Sequence, residues 1–349
     1  MCEYKTDKPK ILVILTGGTI CCSTNTEGLR FSDAESVKII DAFQKSNSPY
    51  NDKVNFDKKI PLDILSENMT TDSWNTLLST LKDTNFDEYK GVIILHGTDT
   101  LAFTASLLSI TLSGIKTPVC LVSSQLPLDN KATNGHANFK AAAELIMNGI
   151  APNVYAVYKN SDGIIYLHYG AHLKQCENYS DDFSSRDAVA IPDANNAQLD
   201  GRPFETNSLY LNKMSPLCDC VLNISPYVGI NYDTYNLEKV KAVVHTTYHS
   251  QTVCVQRSQG SGSYNETSIL HLIDRCKQKN IPLFLTPCSN ATLKYESTGD
   301  ALIHGANYIF GITNEMAYVK TLVGCALNLN NEELINFVNK SVNHEFIYI

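Results

Sequence analysis

The feature that most constrains this chain is a recurring alternation. Short apolar runs rich in β-branched residues are separated by stretches of helical periodicity. "ILVIL" (11–15) comes first. In "TTDSWNTLLSTLKD", Trp74, Leu77, Leu78 and Leu81 fall on one helical face, and "GVIIL" (91–95) follows. "TLAFTASLLSITLSG" reads as a buried helix before "PVCLVSS" (118–124), and "NFKAAAELIMNG" as a helix before "NVYAVY" (153–158). Strands apolar on both faces and joined through helices predict an α/β fold with a parallel sheet covered on both sides. In such sheets ligands bind in the crevice beyond the carboxyl ends of the strands.

The periodicity lapses in "IPDANNAQLDGRPFETNSLYLNKMSP" (191–216), which is rich in Asn, Asp, Pro and Gly. A smaller set of alternations follows. "VLNI", "AVVHTT" and "PLFLT" read as strands, and "NETSILHLIDRCKQKN" and "NEELINFVNKSV" as helices. The expected organisation is a larger N-terminal domain over 1–190 with a mostly parallel, doubly wound sheet, a linker over 191–217, and a smaller C-terminal α/β domain over 218–349.

A length of 349 residues, 43% of them hydrophobic and 18% charged, suits a folded globular chain. The net charge of −8, with no basic stripe, argues against nucleic acid as a partner. The polar start "MCEYKTDKPK" leads into an apolar run too short for an export signal or a membrane span. The expected compartment is therefore the cytoplasm, where the eleven cysteines read as free thiols.

Two turns carry the chemistry. In "ILTGGTI" the strand ends in Thr-Gly-Gly-Thr. Gly17 and Gly18 allow backbone conformations closed to other residues and a close ligand approach. Thr16 and Thr19 are expected to set hydroxyls at the crevice. The polar "CCSTNTEGLRFSD" that follows reads as a mobile flap. "VIILHGTDTLAFTASLL" repeats the arrangement, with Thr98 and Asp99 at a helix entrance where negative charge is favoured. Asp99 or Thr100 can equally be a helix cap. Neither turn has the glycine spacing of a P-loop or a dinucleotide fingerprint.

"LTGGTI" and "LHGTDTLAFTAS" resemble the two signature segments of the bacterial-type L-asparaginases, most closely the cytoplasmic type I branch. "LSENMTTDSW", "SSQLPLDNKATNGHANF" and "YESTGDALIHGANYIFGITNEMAYVK" are similar to further family segments in the same order, over nearly the whole chain. The resemblance implies a two-domain asparaginase-like α/β fold. It also implies hydrolysis of the side-chain amide of L-asparagine, with L-glutamine as a second amide substrate. The nucleophile would be Thr19, which would carry an acyl-enzyme. Thr98, Asp99 and a lysine would form the activating group. Lys174, after Gly170, is the matching lysine with one residue fewer than usual, and Lys159 sits too close to the preceding strand. Ser66 and Glu67 match the loop that binds the substrate's α-carboxylate, and Gly18, Gly97 and Ser124 line the site. Backbone N–H groups of the Gly97–Asp99 turn are expected to hold the oxyanion. No metal and no cofactor is implied, and the expected assembly is a homodimer or homotetramer.

Three positions depart from the family pattern. Leu29 stands where many members carry a flap tyrosine. Tyr295 is a candidate substitute hydroxyl, or else a packed core tyrosine. Glu67-Asn68 replaces the usual residues after Ser66, which suits an α-ammonium and repels a carboxylate. Asn134 stands where aspartate is common.

Other constellations are weaker. His245 and His249 lie four apart, but on a strand end rather than a helix. Cys21, Cys22, Cys218 and Cys220 lack the paired spacing of structural zinc and read as small apolar fillers. "RSQGSGSYN" stands in place of a family Gly-rich loop. The alternatives are a glutaminase, a glutamine-deamidating component for tRNA charging, or a binding protein that kept the fold and lost turnover. The tRNA-charging component would carry a small β-domain before its TGGT strand, and here TGGT begins at residue 16.

Overall fold

The computed structural model describes residues 8–24, 30–32, 38–191, 202–257, 264–288 and 295–347. Leu29 lies outside the described residues. The chain divides into two compact units, Met1–Asn212 and Lys213–Ile349. The division falls inside the stretch read as a linker. The single-turn helix Tyr210–Asn212 packs against elements of the first unit.

The first unit contains β1 (Lys10–Leu15), β2 (Cys22–Thr24), β3 (Arg30–Ser32), α1 (Lys38–Gln44), β4 (Asn55–Lys59), α2 (Thr71–Lys82), β5 (Gly91–Leu95), α3 (Leu101–Thr111), β6 (Val119–Val122), α4 (Gly135–Met147), β7 (Val154–Lys159), β8 (Ile165–Tyr169), β9 (Leu173–Lys174), β10 (Ser184–Ser185) and β11 (Val189–Ile191). Its seven-stranded sheet runs β11-β8-β7-β6-β5-β1-β4. Strands β4, β1, β5, β6 and β7 are parallel, while β8 and β11 join antiparallel at one edge. The alternation read from the sequence thus gives the doubly wound, mostly parallel sheet.

Both faces are covered. Ile11, Val13, Leu15, Ile93 and Leu95 share a core with Phe43 of α1 and Phe139, Ala142 and Ile146 of α4. Leu12, Ile14, Val92 and Ile94 alternate to the other face and are equally buried. On α2 the stripe Trp74, Leu77, Leu78 and Leu81 is buried as its spacing predicts. The Thr70 hydroxyl accepts from Ser73 N–H and caps that helix. Helix α3 is buried almost all round, so it carries little amphipathic signal.

The second unit contains β12 (Val221–Ile224), β13 (Ala242–Thr246), α5 (Ile269–Gln278), β14 (Leu283–Cys288), α6 (Glu296–Ile303), β15 (Asn307–Phe310), α7 (Asn314–Ala326) and α8 (Asn331–Asn339). Its sheet is parallel throughout, in the order β12-β13-β14-β15. Lys320 of α7 is fully buried and pairs with buried Glu345, whose carboxylate also accepts the Val342 and Asn343 N–H groups. A buried pair of this kind is satisfied only when its remaining bonds are made, and here they are.

Candidate active site

Strands β1 and β5 are neighbours in register, Leu15 opposite Leu95, so their carboxyl-end turns emerge side by side. Thr16 closes the strand end. Its N–H and its hydroxyl both donate to the Leu95 carbonyl, at 3.1 and 2.9 Å. That hydroxyl is therefore spent on the sheet, which corrects the expectation that it faces the crevice. Gly17 pairs with Ile64, and Gly18 N–H donates to Ile64 O at 2.8 Å. Both glycines hold positive φ, +104° and +78°. A Cβ on Gly17 would collide with the Ile64 backbone, and one on Gly18 with the Gly97 backbone. The TGGT and HGTD turns thus touch through two glycines, and only glycine permits it. Thr19 opens a single 3-10 turn directly after this contact and is largely buried, at 9% exposure.

The second turn is held by Ser66, the first residue of the 3-10 turn Ser66–Asn68. The Ser66 hydroxyl accepts from Asp99 N–H at 3.1 Å and donates to the Asp99 carboxylate at 3.3 Å. Thr100 Oγ1 donates to the Ser66 carbonyl at 2.9 Å. The same hydroxyl makes no capping bond, although Thr100 stands at the N-cap of α3. A Cβ on Gly97 would strike the Ser66 side chain, so this glycine too is required by close approach. Thr98 is half-buried, whereas Asp99 and Glu67 are exposed. Of the amides expected to hold an oxyanion, that of Asp99 is already bonded to Ser66.

Behind the turn lies a hydrogen-bond chain that the sequence did not announce. His96 is fully buried. Its Nδ1 lies 2.8 Å from the Gly97 carbonyl and its Nε2 2.9 Å from Thr104 Oγ1, which in turn lies 3.0 Å from Trp74 Nε1. Indole N–H can only donate and a carbonyl can only accept. The directions follow: Trp74 donates to Thr104, Thr104 to His96 Nε2, and His96 Nδ1–H to Gly97 O. Burial, only partly offset by the Gly97 bond, pushes the His96 pKa down to about 4, so the ring is neutral as this chain requires. A trans peptide sets C=O and N–H on opposite sides. Fixing the Gly97 carbonyl against the imidazole therefore turns the Thr98 N–H away from it. The available signal was Trp74, a buried indole that must find an acceptor.

The remaining candidates fall as follows. Lys174 sits on β9, exposed, and among the described residues no ion pair joins it to Asp99. The next residue, Gln175, donates its side-chain amide to the Asp99 carbonyl at 2.6 Å, which ties this segment to the Asp99 turn. Ser124 is buried, and its hydroxyl donates to Leu126 O at 2.8 Å. Asn134 accepts from Gln125 N–H and donates to Lys159 O, at 3.1 and 2.8 Å. An ionised aspartate could not make the second bond. Tyr295 belongs to the second unit, at the N-cap position of α6, and is 52% exposed, which removes the packed-core reading. His245 is buried and bonded to the Tyr232 hydroxyl at 2.9 Å. Among the described residues, no His, Cys, Asp and Glu cluster has metal-binding geometry. None of the described helices is long and apolar enough to cross a membrane.

Two threonine-bearing turns in contact at the carboxyl edge of a parallel sheet, with a serine-held aspartate beside them, form the candidate active site. The family model for the asparaginase N-terminal domain matches residues 10–202, and the chain belongs to the asparaginase family. It is 25% identical over 309 residues to L-asparaginase 1 of Escherichia coli K12, covering 85% of this chain and 86% of that protein. It is 31% identical over 195 residues to one of the glutamyl-tRNA(Gln) amidotransferase subunits of Methanopyrus kandleri, a match that spans 54% of this chain and 42% of that one. Among solved structures, the thermostable L-asparaginase from Thermococcus kodakarensis superposes with a TM-score of 0.75 at 20% identity, over 97% of this chain and 99% of that chain. L-asparaginase I from Vibrio cholerae gives 0.72 at 22% identity, over 98% and 100%. These two likenesses establish the asparaginase-like fold.

Proposed function

We propose that this chain hydrolyses L-asparagine to L-aspartate and ammonia through an ester on Thr19. The observation that carries the reading is the backbone contact of Gly18 with Gly97, which sets the turns bearing Thr19 and Thr98 against one another. An aliphatic hydroxyl needs an adjacent base to attack near neutral pH. In this reading Thr19 Oγ attacks the amide carbon, and the group Thr98, Asp99 and Lys174 takes the hydroxyl proton. That proton leaves with the amide nitrogen as ammonia when the C–N bond breaks. Water then attacks the ester and frees aspartate and Thr19. The Thr98 N–H, turned from His96, holds the oxyanion. The Ser66–Asp99 carboxylate bond, long at 3.3 Å, is the one a substrate α-carboxylate takes over, while Glu67 faces the α-ammonium. Gly18, Gly97 and Ser124 shape the walls. The protein acts in the cytoplasm as a homodimer or homotetramer.

A second reading rests on the relatives named as glutamyl-tRNA(Gln) amidotransferase components and makes glutamine the preferred amide. Ammonia release from L-asparagine and L-glutamine by the full chain, with Thr19→Ala as control, separates the two. One methylene of difference in a fitted pocket is worth roughly 10–200-fold, so kcat/KM for asparagine should exceed that for glutamine by at least about tenfold. Glutamine preference would favour the second reading. Aspartate binding without turnover of either amide would favour a binding protein.

A further inference from the structure

The segment that follows β8 runs back along α3 and ends on the turn that bears Thr98 and Asp99. Gly170 opens a buried 3-10 turn, Gly170–His172, and a Cβ there would meet Ser109 Oγ and the Ala105 carbonyl of α3. Leu173, fully buried, begins β9, which packs on α3. Strand β9 pairs antiparallel with β10, Leu173 opposite Ser185 and Lys174 opposite Ser184. The Ser185 hydroxyl lies 2.9 Å from His168 Nδ1 of β8, which ties this ribbon to the main sheet. Gln175 then donates its side-chain amide to the Asp99 carbonyl at 2.6 Å. From Ser109 back to Asp99 the chain rises about 15 Å at helical pitch, and the extended run from Gly170 to Gln175 covers about the same length. The segment thus fits the distance between its two anchors, one in the middle of α3 and one at its entrance.

Asp99 is held from two sides. The Ser66 hydroxyl takes its N–H at 3.1 Å and its carboxylate at 3.3 Å, and Gln175 takes its carbonyl at 2.6 Å. A substrate affects the two holds differently. In the reading above, an α-carboxylate takes over the bond between Ser66 and the Asp99 carboxylate, so Ser66 is drawn toward the substrate. The Gln175 bond reaches the backbone from another segment and is not part of that exchange. An amide N–H can make this bond to a carbonyl, and an ionised carboxylate cannot.

We propose that Gln175 is a positioning residue for amide hydrolysis: its bond to the Asp99 carbonyl keeps Thr98 and Asp99 in place while Ser66 engages the substrate. The inference rests on the assignment of Thr98 and Asp99 to the activating group. Gln175 acts through the backbone of the turn and touches no reacting atom.

The test is steady-state ammonia release by the full chain, using whichever amide it turns over faster. Gln175→Met keeps the reach of the side chain and removes the donor. It should lower kcat by about tenfold with KM within about twofold. Gln175→Glu sets a carboxylate against the carbonyl and should lower kcat by about thirtyfold at pH 8. Glutamate ordinarily protonates near pH 4.3, and an opposing carbonyl raises that value. Once protonated, the side chain donates again. The ratio of Gln175→Glu to wild-type kcat should therefore rise at least about threefold from pH 8 to pH 5, while the Gln175→Met ratio stays flat. This arm compares one folded protein with itself at two pH values, so it separates loss of the donor from loss of the fold. A Gln175→Met kcat within about twofold of wild type, or a Gln175→Glu ratio that ignores pH, would overturn the proposal alone. Absence of ammonia from either amide with the wild-type chain would overturn the catalytic assignment and the inference with it.

Discussion

The carboxyl ends of β5 and β13 carry the same device with different consequences. In each, a fully buried histidine, His96 or His245, donates Nδ1–H to the carbonyl of the following residue, at 2.8 and 2.6 Å. In each, Nε2 accepts from a hydroxyl at 2.9 Å, that of Thr104 or Tyr232. Burial pushes both pKa values down to about 4. The difference lies two residues beyond the histidine. Thr247 N–H donates to Thr286 O at 2.7 Å and its hydroxyl to Pro287 O at 3.0 Å, so the sheet consumes both groups. At β5 the chain breaks away through Gly97, packed between Gly18 and Ser66, and Thr98 leaves the ladder to enter a helix. A histidine clamp at a strand end therefore makes structure when the ladder continues. It makes a candidate site when a glycine lets the chain leave.

The contrast breaks most sharply at the threonines. Thr19→Ala and Thr98→Ala should each lower kcat for asparagine by about 10³-fold or more, in steady-state ammonia assays. Thr247→Ala should leave it within about twofold. Gly97→Ala makes the β5 strand end resemble that of β13, since its Cβ must displace Ser66 and with it the Asp99 turn. Loss of one oxyanion donor typically costs ~10²-fold, and that is the expected fall in kcat with the fold retained by circular dichroism.

The clamps themselves differ less. His96→Ala should reduce kcat by about tenfold, with part of that recovered in His96→Asn, which restores a donor toward the Gly97 carbonyl. His245→Ala should leave kcat within about twofold. Both alanine variants should lose about 2 kcal/mol of stability in urea titrations, because each orphans a buried carbonyl. A kcat loss in His245→Ala equal to that in His96→Ala would erase the distinction.

The smallest effect is the one the two clamps share. Their folded pKa of about 4 lies below the ordinary histidine value of 6.5, so between those values the unfolded chain binds more protons. Stability is therefore full above about pH 6.5 and falls as the pH drops toward 4. By pH 5.5 each imidazole should have cost about 1 kcal/mol, read from urea unfolding as a function of pH. His96→Asn and His245→Asn should each flatten that slope.

The sequence foretold most where strands are buried on both faces. "ILVIL", "GVIIL" and "PVCLVSS" became β1, β5 and β6 because parallel core strands leave little but apolar residues. Strand β4, "NFDKK", escaped notice because it is an edge, and its charges face water. Helix α7, buried on nearly every side around Lys320, shows little helical periodicity to read. Within the site, the turns were legible as glycine and threonine at strand ends. The contact of Gly18 with Gly97 was not, since 79 residues separate them and only the register of β1 with β5 joins them. The His96–Thr104–Trp74 chain was hidden for the same reason, since two of its three members read as ordinary core.

The most direct measurement is capture of the intermediate. A chain carrying Lys174→Met, mixed with L-asparagine, quenched in acid within the first turnovers and digested, should yield a peptide bearing an aspartyl ester on Thr19. The same digest from Thr19→Ala should yield none. An ester on Thr98, or ammonia released at the wild-type rate by Thr19→Ala, would contradict the account.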